Sequence, residues 1–249
     1  MHVDLNADLG EGAGHDDELL ELVSSASIAC GFHAGDPVSI LASIRVARER
    51  GVAVGAHPGF ADRENFGRRE VALPTAEVFA IVAYQLGAFH ALATAAGTPV
   101  NHVKPHGALY NMAVHDEKLA EAIAQAVLAI DSSLLLFAPG GSVLECAAQS
   151  AKLRVVREVF ADRNYLADGS LVSRTRPDAL LHDPEEAALR VLRMLREGVV
   201  RSVDGKDVEV RAETICVHGD TPGAVEFARS LRESLEKEGV KIQALDPPP

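Results

Sequence analysis

Residues suited to acid–base or metal chemistry cluster in the stretch HVKPHGALYN, residues 102–111. Lys104 and His106 are two positions apart, and His102 lies two positions before the lysine. Because side chains alternate across a β-strand, an extended backbone places all three on one face. Pro105 has no N–H to contribute to a sheet, so this segment cannot be a fully hydrogen-bonded central strand. We therefore predict that the segment is a strand end that forms one wall of a site.

Similar residues follow most of the other predicted strands. The strands are predicted at residues 2–9, 27–30, 52–57, 101–106, 134–139, 154–161 and 213–218. The titratable residues at or just after the strand ends are Asp8, Glu11, His33, Asp36, His57, Lys104, His106, Asp162, His218 and Asp220. Each has a structural explanation when taken alone; Asp36, for example, is a suitable helix N-cap. Their recurrence at the same end of nearly every strand favours a shared site.

Segments with helical periodicity separate most of these strands. In residues 116–130 the apolar residues recur every three or four positions, at Leu119, Ile123, Val127 and Ile130. Residues 74–97 carry a similar stripe of Val78, Val82, Phe89 and Ala93. This alternation predicts parallel strands with helices packed outside them. Seven strands suggest a β/α barrel close to the eight-stranded type, with an open doubly wound sheet as the alternative. Both place ligands at the carboxyl ends of the strands.

Two segments depart from the alternation of strands and helices. Residues 199–213 have alternating apolar residues around Asp204-Gly205, which predicts a β-hairpin. Residues 162–183 are polar and rich in arginine, and we predict a long loop of the kind that often covers a binding site. No linker divides the chain, so one barrel domain over residues 1–249 is expected.

Composition limits the partners and the compartment. The 249-residue chain has a formal net charge of −12, and an acidic surface repels nucleic acid. The three cysteines, Cys30, Cys146 and Cys216, are too scattered for a disulfide framework or a thiolate zinc site, which favours a reducing compartment. The amino terminus lacks the basic and apolar regions of a signal peptide. No stretch is expected to approach the ~18 apolar residues of a membrane helix. We therefore expect a cytoplasmic protein without a membrane partner.

The strand-end residues are suited to two kinds of chemistry. Histidines and carboxylates from different strands can hold a divalent metal. They can also work without a metal, when a carboxylate or imidazole activates water and a lysine stabilises an oxyanion. The sequence has no H-E-x-x-H, P-loop, dinucleotide or nucleophile-elbow motif. Motif spacing therefore does not decide between the two.

Seven motifs follow one another between residues 3 and 230: DLNADLGEG, IACGFHAGDP, GAHPGF, FGRRE, VKPHGALYN, EVFADRNY and ICVHGDTPGAV. Together they resemble the LamB/YcsF family of 5-oxoprolinase A subunits. The resemblance implies a distorted seven-stranded β/α barrel of the glycoside hydrolase/deacetylase type. It also implies ATP-dependent hydrolysis of 5-oxo-L-proline (pyroglutamate) to L-glutamate, together with partner subunits B and C. Where the family often has cysteine in the first motif this chain has Ala7, which excludes a cysteine nucleophile there.

The resemblance, taken with the strand-end chemistry, implies a division of labour. A partner subunit phosphorylates the lactam oxygen, with ATP bound mainly by or with the partners, and this barrel adds water to the activated carbon. The expected catalytic residues are Asp8 or Glu11 as the base, His57 or His106 as the proton shuttle, and Lys104 and His218 facing the developing negative charge. The expected substrate-binding residues are His33, Arg68, Arg69, Asn111 and Asp220, with the arginines binding the substrate carboxylate.

Two other functions stay open at this point. By analogy with related barrels, the chain could be a metal-dependent small-molecule amidase or deacetylase that acts alone, with Asp8, His33 and His57 as the metal ligands. It could also be a non-catalytic protein that binds a small carboxylate or lactam and regulates a partner. Activity that a chelator abolishes distinguishes the first, and binding without turnover distinguishes the second.

Overall fold

Strands and helices alternate along the chain, as the sequence pattern predicts. The computed structural model describes residues 1–220 and 223–247. Its strands are β1 (His2–Leu9), β2 (Ser25–Ala29), β3 (Ala53–His57), β4 (His102–Val103), β5 (Leu135–Pro139), β6 (Arg154–Phe160), β7 (Val199–Arg201), β8 (Asp207–Glu209), β9 (Thr214–His218) and β10 (Lys241–Ile242). Its α-helices are α1 (Asp16–Leu19), α2 (Pro37–Glu49), α3 (Thr75–Ala96), α4 (Gly107–Ala113), α5 (Glu117–Ile130), α6 (Val143–Ser150), α7 (Pro184–Glu197) and α8 (Ala224–Lys237).

Seven parallel strands close into a barrel. The strand order runs β1-β2-β3-β4-β5-β6-β9, and β9 pairs back onto β1. Asn6 on β1 lies opposite Ser25 on one side and Cys216 on the other, which fixes the register at the closure. The predicted seven-stranded β/α barrel is therefore confirmed, and the pairing of β1 with β9 rules out an open sheet. The short β10 pairs with the start of β1 and was not predicted.

Strand bounds agree with the sequence pattern except at two places. Five predicted strands match the structure within one residue at each end. The predicted strand 27–30 corresponds to β2, which begins and ends earlier, at Ser25–Ala29. The predicted strand 101–106 shortens to β4, His102–Val103. Pro105 cannot donate to a neighbouring strand, and the chain turns into α4 at Gly107.

The helical stripes predicted from the sequence face the barrel. Val78, Val82, Phe89 and Ala93 of α3 are buried, as are Leu119, Ile123 and Val127 of α5. Ile130 is an exception, because it is the last residue of α5 and is 39% exposed. The expectation that no stretch approaches a membrane helix is wrong by length and composition, since the alanine-rich α3 has 22 residues and is apolar enough. Its buried stripe makes it an outer helix of the barrel.

The two irregular segments also fold as predicted. β7 and β8 form an antiparallel hairpin whose turn contains Gly205, with a positive φ of 77° that glycine adopts without strain. Residues 162–183 form a long loop that is held by two isolated bridges, Arg163 with Leu180 and Tyr165 with Leu171. The loop therefore has a fixed path beside the strand ends.

One buried polar contact joins α3 to the turn that follows β3. The Gln85 amide donates to the Gly59 carbonyl at 2.9 Å, and its oxygen accepts from the Gly59 N–H at 3.0 Å. Both backbone groups would otherwise be buried without a partner. Gly59 comes two residues after His57, so this contact holds the strand end that carries the histidine.

Replacing Gln85 by leucine should lower the free energy of unfolding by about 2–4 kcal/mol, because two buried backbone groups lose their partner. Urea denaturation followed by circular dichroism measures the change. Gln125→Leu, on the exposed face of α5, is the matched control and should change stability by under about 0.5 kcal/mol. Similar losses in both variants would contradict a specific role for the contact with Gly59.

Candidate active site

A cavity of about 560 Å³ opens at the carboxyl ends of the barrel strands. All six residues predicted to be catalytic line it, namely Asp8, Glu11, His57, Lys104, His106 and His218. The long loop lines the same cavity through residues 169–175. The barrel therefore brings the strand-end residues into one place.

Lys104 lies between two carboxylates at this end of the barrel. Its Nζ is 2.8 Å from Asp8 Oδ1 and 2.9 Å from Glu158 Oε1, and the side chain is almost fully buried. Burial by itself lowers the pKa of Lys104, but the negative charges around it, Asp8 first, raise the pKa well above its usual value. The lysine therefore stays charged and can face negative charge on a ligand.

Asp8 connects the lysine to a histidine. Its second oxygen, Oδ2, is 3.4 Å from His57 Nε2. Burial by itself raises the pKa of Asp8, but His57 and Lys104 hold that pKa well below its usual range. The carboxylate is therefore ionised at neutral pH.

Main-chain carbonyls lock the orientation of His57 and His106. His57 Nδ1 donates to the Lys104 carbonyl at 2.7 Å, and His106 Nε2 donates to the Phe66 carbonyl at 2.8 Å. Because a carbonyl only accepts, these two nitrogens carry the ring protons. The remaining nitrogens, His57 Nε2 and His106 Nδ1, are 2.9 Å apart. Two lone pairs do not face each other at that distance, so a proton or a cation lies between them.

The shared proton is best placed on His57. Burial by itself lowers the pKa of His57, but the charge of Asp8 and its hydrogen bond raise the pKa above its usual value. Burial lowers the pKa of His106. The pair can therefore give a proton from His57 while His106 receives one.

Glu11 accepts a hydrogen bond from His33 and lies beside the His106 nitrogen that faces His57. Its Oε1 is 3.1 Å from His106 Nδ1 and 3.2 Å from His33 Nε2. Burial by itself raises the pKa of Glu11, but the neighbouring imidazoles of His106 and His33 bring the pKa far below its usual value. Burial lowers the pKa of His33 to about 3, so its ring is neutral. Glu11 therefore supplies negative charge next to the histidine pair.

Two groups of side chains among the described residues have the spacing of a metal site. Glu11, His33, His57 and His106 offer ligand atoms within 4.8 Å of one another, whereas Asp8 groups with Cys216 and His218. The rings of His33 and His106 are stacked in parallel with centroids 3.7 Å apart, so they cannot both point a lone pair at one ion. Glu11, His57 and His106 fit better, because their ligand atoms are 2.9–3.7 Å apart and the edge of a tetrahedral zinc site is about 3.3 Å.

The residues predicted to bind substrate are only partly brought to the cavity. Arg68 and Asn111 line it. Arg68 Nη2 is 2.6 Å from Asp220 Oδ2, so that guanidinium already has a carboxylate partner. The Arg69 side chain is 66% exposed and lies outside the wall that the described residues form. His33 is buried beside Glu11 and borders a different depression.

His102 lies one layer deeper in the barrel. It is fully buried, its Nε2 is 3.1 Å from Ser27 Oγ, and its ring stacks on Phe137. A side chain at Gly55 on β3 would collide with this ring, since a Cβ there would be 2.1 Å from Nε2. His102 therefore fills the barrel interior beneath the cavity.

Sequence reasoning did not single out Glu158 on β6, and it named Asp162 at that strand end without assigning it a partner. Glu158 binds Lys104 and also accepts from the Tyr110 hydroxyl at 2.7 Å. Asp162 accepts from His218 Nδ1 at 2.9 Å and thereby orients that imidazole. Glu158, Phe160 and Asp162 alternate along the strand end. The alternation of side chains that predicted the lysine and histidine after β4 would also have found Glu158.

The sequence of the chain is similar to those of known proteins along nearly its whole length. The chain matches the LamB/YcsF family over residues 3–248. The A subunit of 5-oxoprolinase from Paracidovorax citrulli is 53% identical over 248 residues, covering 98% of this chain and 99% of the relative. The A subunit of 5-oxoprolinase from Thermus thermophilus is 55% identical over 249 residues, covering 98% of this chain and 100% of the relative.

Solved structures also resemble the chain. The crystal structure of a lactam utilization protein from Thermus thermophilus has a TM-score of 0.92 at 54% identity, covering 98% of this chain and 100% of that one. A putative cellobiose-phosphate cleavage protein from Enterococcus faecalis has a TM-score of 0.55 at 14% identity, covering 97% of this chain and 96% of that one. The second likeness concerns the fold alone.

Replacing Lys104 by methionine should lower the free energy of unfolding by about 3–5 kcal/mol at neutral pH, because buried carboxylates lose their counterion. A carboxylate whose folded-state pKa is depressed stabilises the native state at neutral pH and loses that contribution as the pH falls. In the variant the pKa of Asp8 rises. The difference in the free energy of unfolding between variant and wild type should therefore be smaller at about pH 4 than at neutral pH.

Urea unfolding at the two pH values measures this difference. Lys118→Met, on the exposed surface of α5, is the matched control and should be close to wild type at both. A loss in Lys104→Met that does not depend on pH would count against the ion pair as its cause.

Proposed function

The chain belongs to the LamB/YcsF family, and on this premise we propose that it serves as the A subunit of a 5-oxoprolinase, a hydrolase that opens the lactam ring of 5-oxo-L-proline to give L-glutamate. The observation that carries the proposal is the 53–55% identity, over nearly the whole chain, to relatives named for that role. The cavity supports it, because a buried ammonium and an ionised carboxylate are suited to adding water to a carbonyl carbon.

Coupling to ATP is part of the same proposal. A five-membered lactam closes again readily, because its amine and acid are held together at high effective molarity. Ring opening therefore needs an energy input. The sequence has no recognisable nucleotide loop, so we assign most of the ATP binding to partner subunits B and C. A partner phosphorylates the lactam oxygen, and this barrel completes the ring opening.

The residues of the cavity have complementary roles in that step. Asp8 takes a proton from the attacking water as its oxygen bonds to the activated carbon. The hydroxyl of the tetrahedral intermediate then gives up its proton as the carbonyl forms and the ring C–N bond breaks, and the leaving nitrogen takes up this proton together with the one held between His57 and His106. Lys104 and His218 face the negative charge on the oxygen and phosphate. The acyl phosphate that results needs a second water to give glutamate and inorganic phosphate. Glu11 is the alternative base, since it is also ionised and buried.

Charge, helix packing and free cysteines indicate the compartment in which the protein works. We place the whole chain, as one barrel domain, in the cytoplasm without a nucleic-acid or membrane partner. The net charge of −12 and the packing of α3 against the barrel support this assignment. The three reduced cysteines are consistent with it.

A metal-dependent amidase or deacetylase that acts alone is the second candidate. It is favoured by the close approach of Glu11, His57 and His106. A divalent ion held by these three groups would take the place of the shared proton and would polarise a carbonyl or activate a water. The residues present fit such an ion without any change in the two carbonyl contacts that orient the imidazoles.

Glutamate release from 5-oxo-L-proline and ATP tests the main proposal. It should be measured for this chain alone, for subunits B and C alone, and for all three together. We expect glutamate only from the full mixture. No glutamate, when the same B and C subunits work with a homologous barrel protein, would contradict the proposal. Release by this chain alone that a chelator abolishes would establish the second candidate.

Replacing Asp8 by asparagine should lower kcat of the full mixture by about 100- to 10,000-fold, because asparagine cannot accept the proton. Assembly with the partners, measured by size-exclusion chromatography, should be unchanged. Asp36→Asn is the matched control, because Asp36 caps α2 with its side chain and asparagine is an equally good cap. Full activity in Asp8→Asn would contradict Asp8 as the general base and would assign that role to Glu11.

A further inference from the structure

A buried guanidinium in the cavity wall lacks a carboxylate partner among the described residues. Arg163 follows β6, is 5% exposed and lines the cavity. Its Nη2 donates to the Val172 carbonyl at 2.6 Å, while its Nε is buried without a hydrogen-bond partner. A buried charge is costly unless it is paired and hydrogen-bonded. The missing partner is therefore expected to be an anion from outside the chain.

Three carboxylates at this end of the barrel each contact another cationic or imidazole side chain. Asp162 is held by His218, Glu158 by Lys104, and Asp220 by Arg68. A second guanidinium, that of Arg174, lines the same cavity, and its closest carboxylate oxygen is 3.6 Å away on Asp220. Burial and the charge of Arg174 lower the pKa of Arg163 to about 10, which leaves it charged at neutral pH. Two guanidinium groups therefore line this cavity, and that of Arg163 has no carboxylate partner among the described residues.

We propose that Arg163, with Arg174 beside it, binds the carboxylate of the lactam substrate. This inference rests on the proposed function and names the group that recognises the substrate. A guanidinium presents two parallel N–H groups that match a carboxylate, and a buried contact of this kind is stronger than an exposed one. Arg163 takes over the role that the sequence assigned to Arg68 and Arg69. Arg68 is already paired with Asp220, and Arg69 lies outside the wall.

The position of Arg163 also orients the substrate ring. Arg163 and Lys104 line the same cavity, one from the loop that follows β6 and the other from the strand end after β4. A carboxylate bound at Arg163 leaves the ring amide free to face Lys104 and Asp8. The bridge between Arg163 and Leu180 fixes the backbone from which this arginine extends. The loop residue is thus held firmly enough to select a substrate.

Substrate discrimination by the mixture of this chain with subunits B and C tests the inference. The probes are 5-oxo-L-proline, assayed as kcat/KM for glutamate release, and 2-pyrrolidone, the same ring without the carboxylate, assayed as a competitive inhibitor. Arg163→Gln should lower kcat/KM by about 10- to 100-fold and leave the inhibition constant of 2-pyrrolidone within about threefold of wild type. Arg163→Lys keeps the charge without the paired N–H groups and should lie in between.

Arg45→Gln, on the exposed face of α2, is the matched control and should equal wild type. An unchanged kcat/KM in Arg163→Gln would overturn the inference. An equal loss of kcat/KM for 5-oxo-L-proline and of affinity for 2-pyrrolidone would also overturn it, because a damaged loop weakens both. A loss of inhibition by inorganic phosphate, with the KM for 5-oxo-L-proline unchanged, would assign the arginine to a phosphate group and also overturn it. If Arg163→Gln does not fold, Arg163→Lys is used instead. Its loss of kcat/KM for 5-oxo-L-proline is then compared with its change in the inhibition constant of 2-pyrrolidone.

The test separates this inference from the proposed function. Wild-type protein is assayed first in the full mixture. Failure of wild type to release glutamate contradicts the proposed function, whereas failure of Arg163→Gln to change discrimination contradicts only the role of Arg163.

Discussion

The ammonium of Lys104, buried between Asp8 and Glu158, is the interaction on which the rest of the site depends. It joins β1 to β6 through a residue that follows β4, so it spans the end of the barrel. A buried ion pair adds little net stability compared with apolar packing, but removing one member leaves an uncompensated charge. The buried positive charge of Lys104 and the carboxylates of Asp8 and Glu158 must therefore be kept together. Their contacts explain why a lysine can be buried in this position.

Backbone geometry then fixes where protons reside. The carbonyl of Lys104 orients His57, and the carbonyl of Phe66 orients His106. Phe66 has a positive φ of 55°, a conformation that bulky residues rarely adopt and that is often found at functional sites. The next residue is Gly67, where a Cβ would be 2.8 Å from the Cβ of His33. The close packing of the histidines therefore requires a glycine beside a strained residue.

Much of the site could be predicted from the sequence because it depends on local rules. Alternation of side chains along a strand placed Lys104 and His106 on one face, and the parallel barrel brought them to Asp8 and His57. The lack of an N–H at Pro105 marked the strand end, although not how short β4 would be. Glu158 obeys the same alternation and was missed only because its strand end was not searched for a partner of the lysine.

The arginines could not be assigned from the sequence, because their partners depend on the path of a long loop. Arg163 and Arg174 lie in this loop and Arg68 in a separate segment, and only the folded structure shows that Arg68 is paired with Asp220 while Arg163 has no carboxylate partner among the described residues. In our proposal the substrate carboxylate is therefore recognised by a loop, whereas the acid–base groups lie at the strand ends. Such a division lets the loop adjust the choice of substrate while the barrel keeps the reacting groups in place.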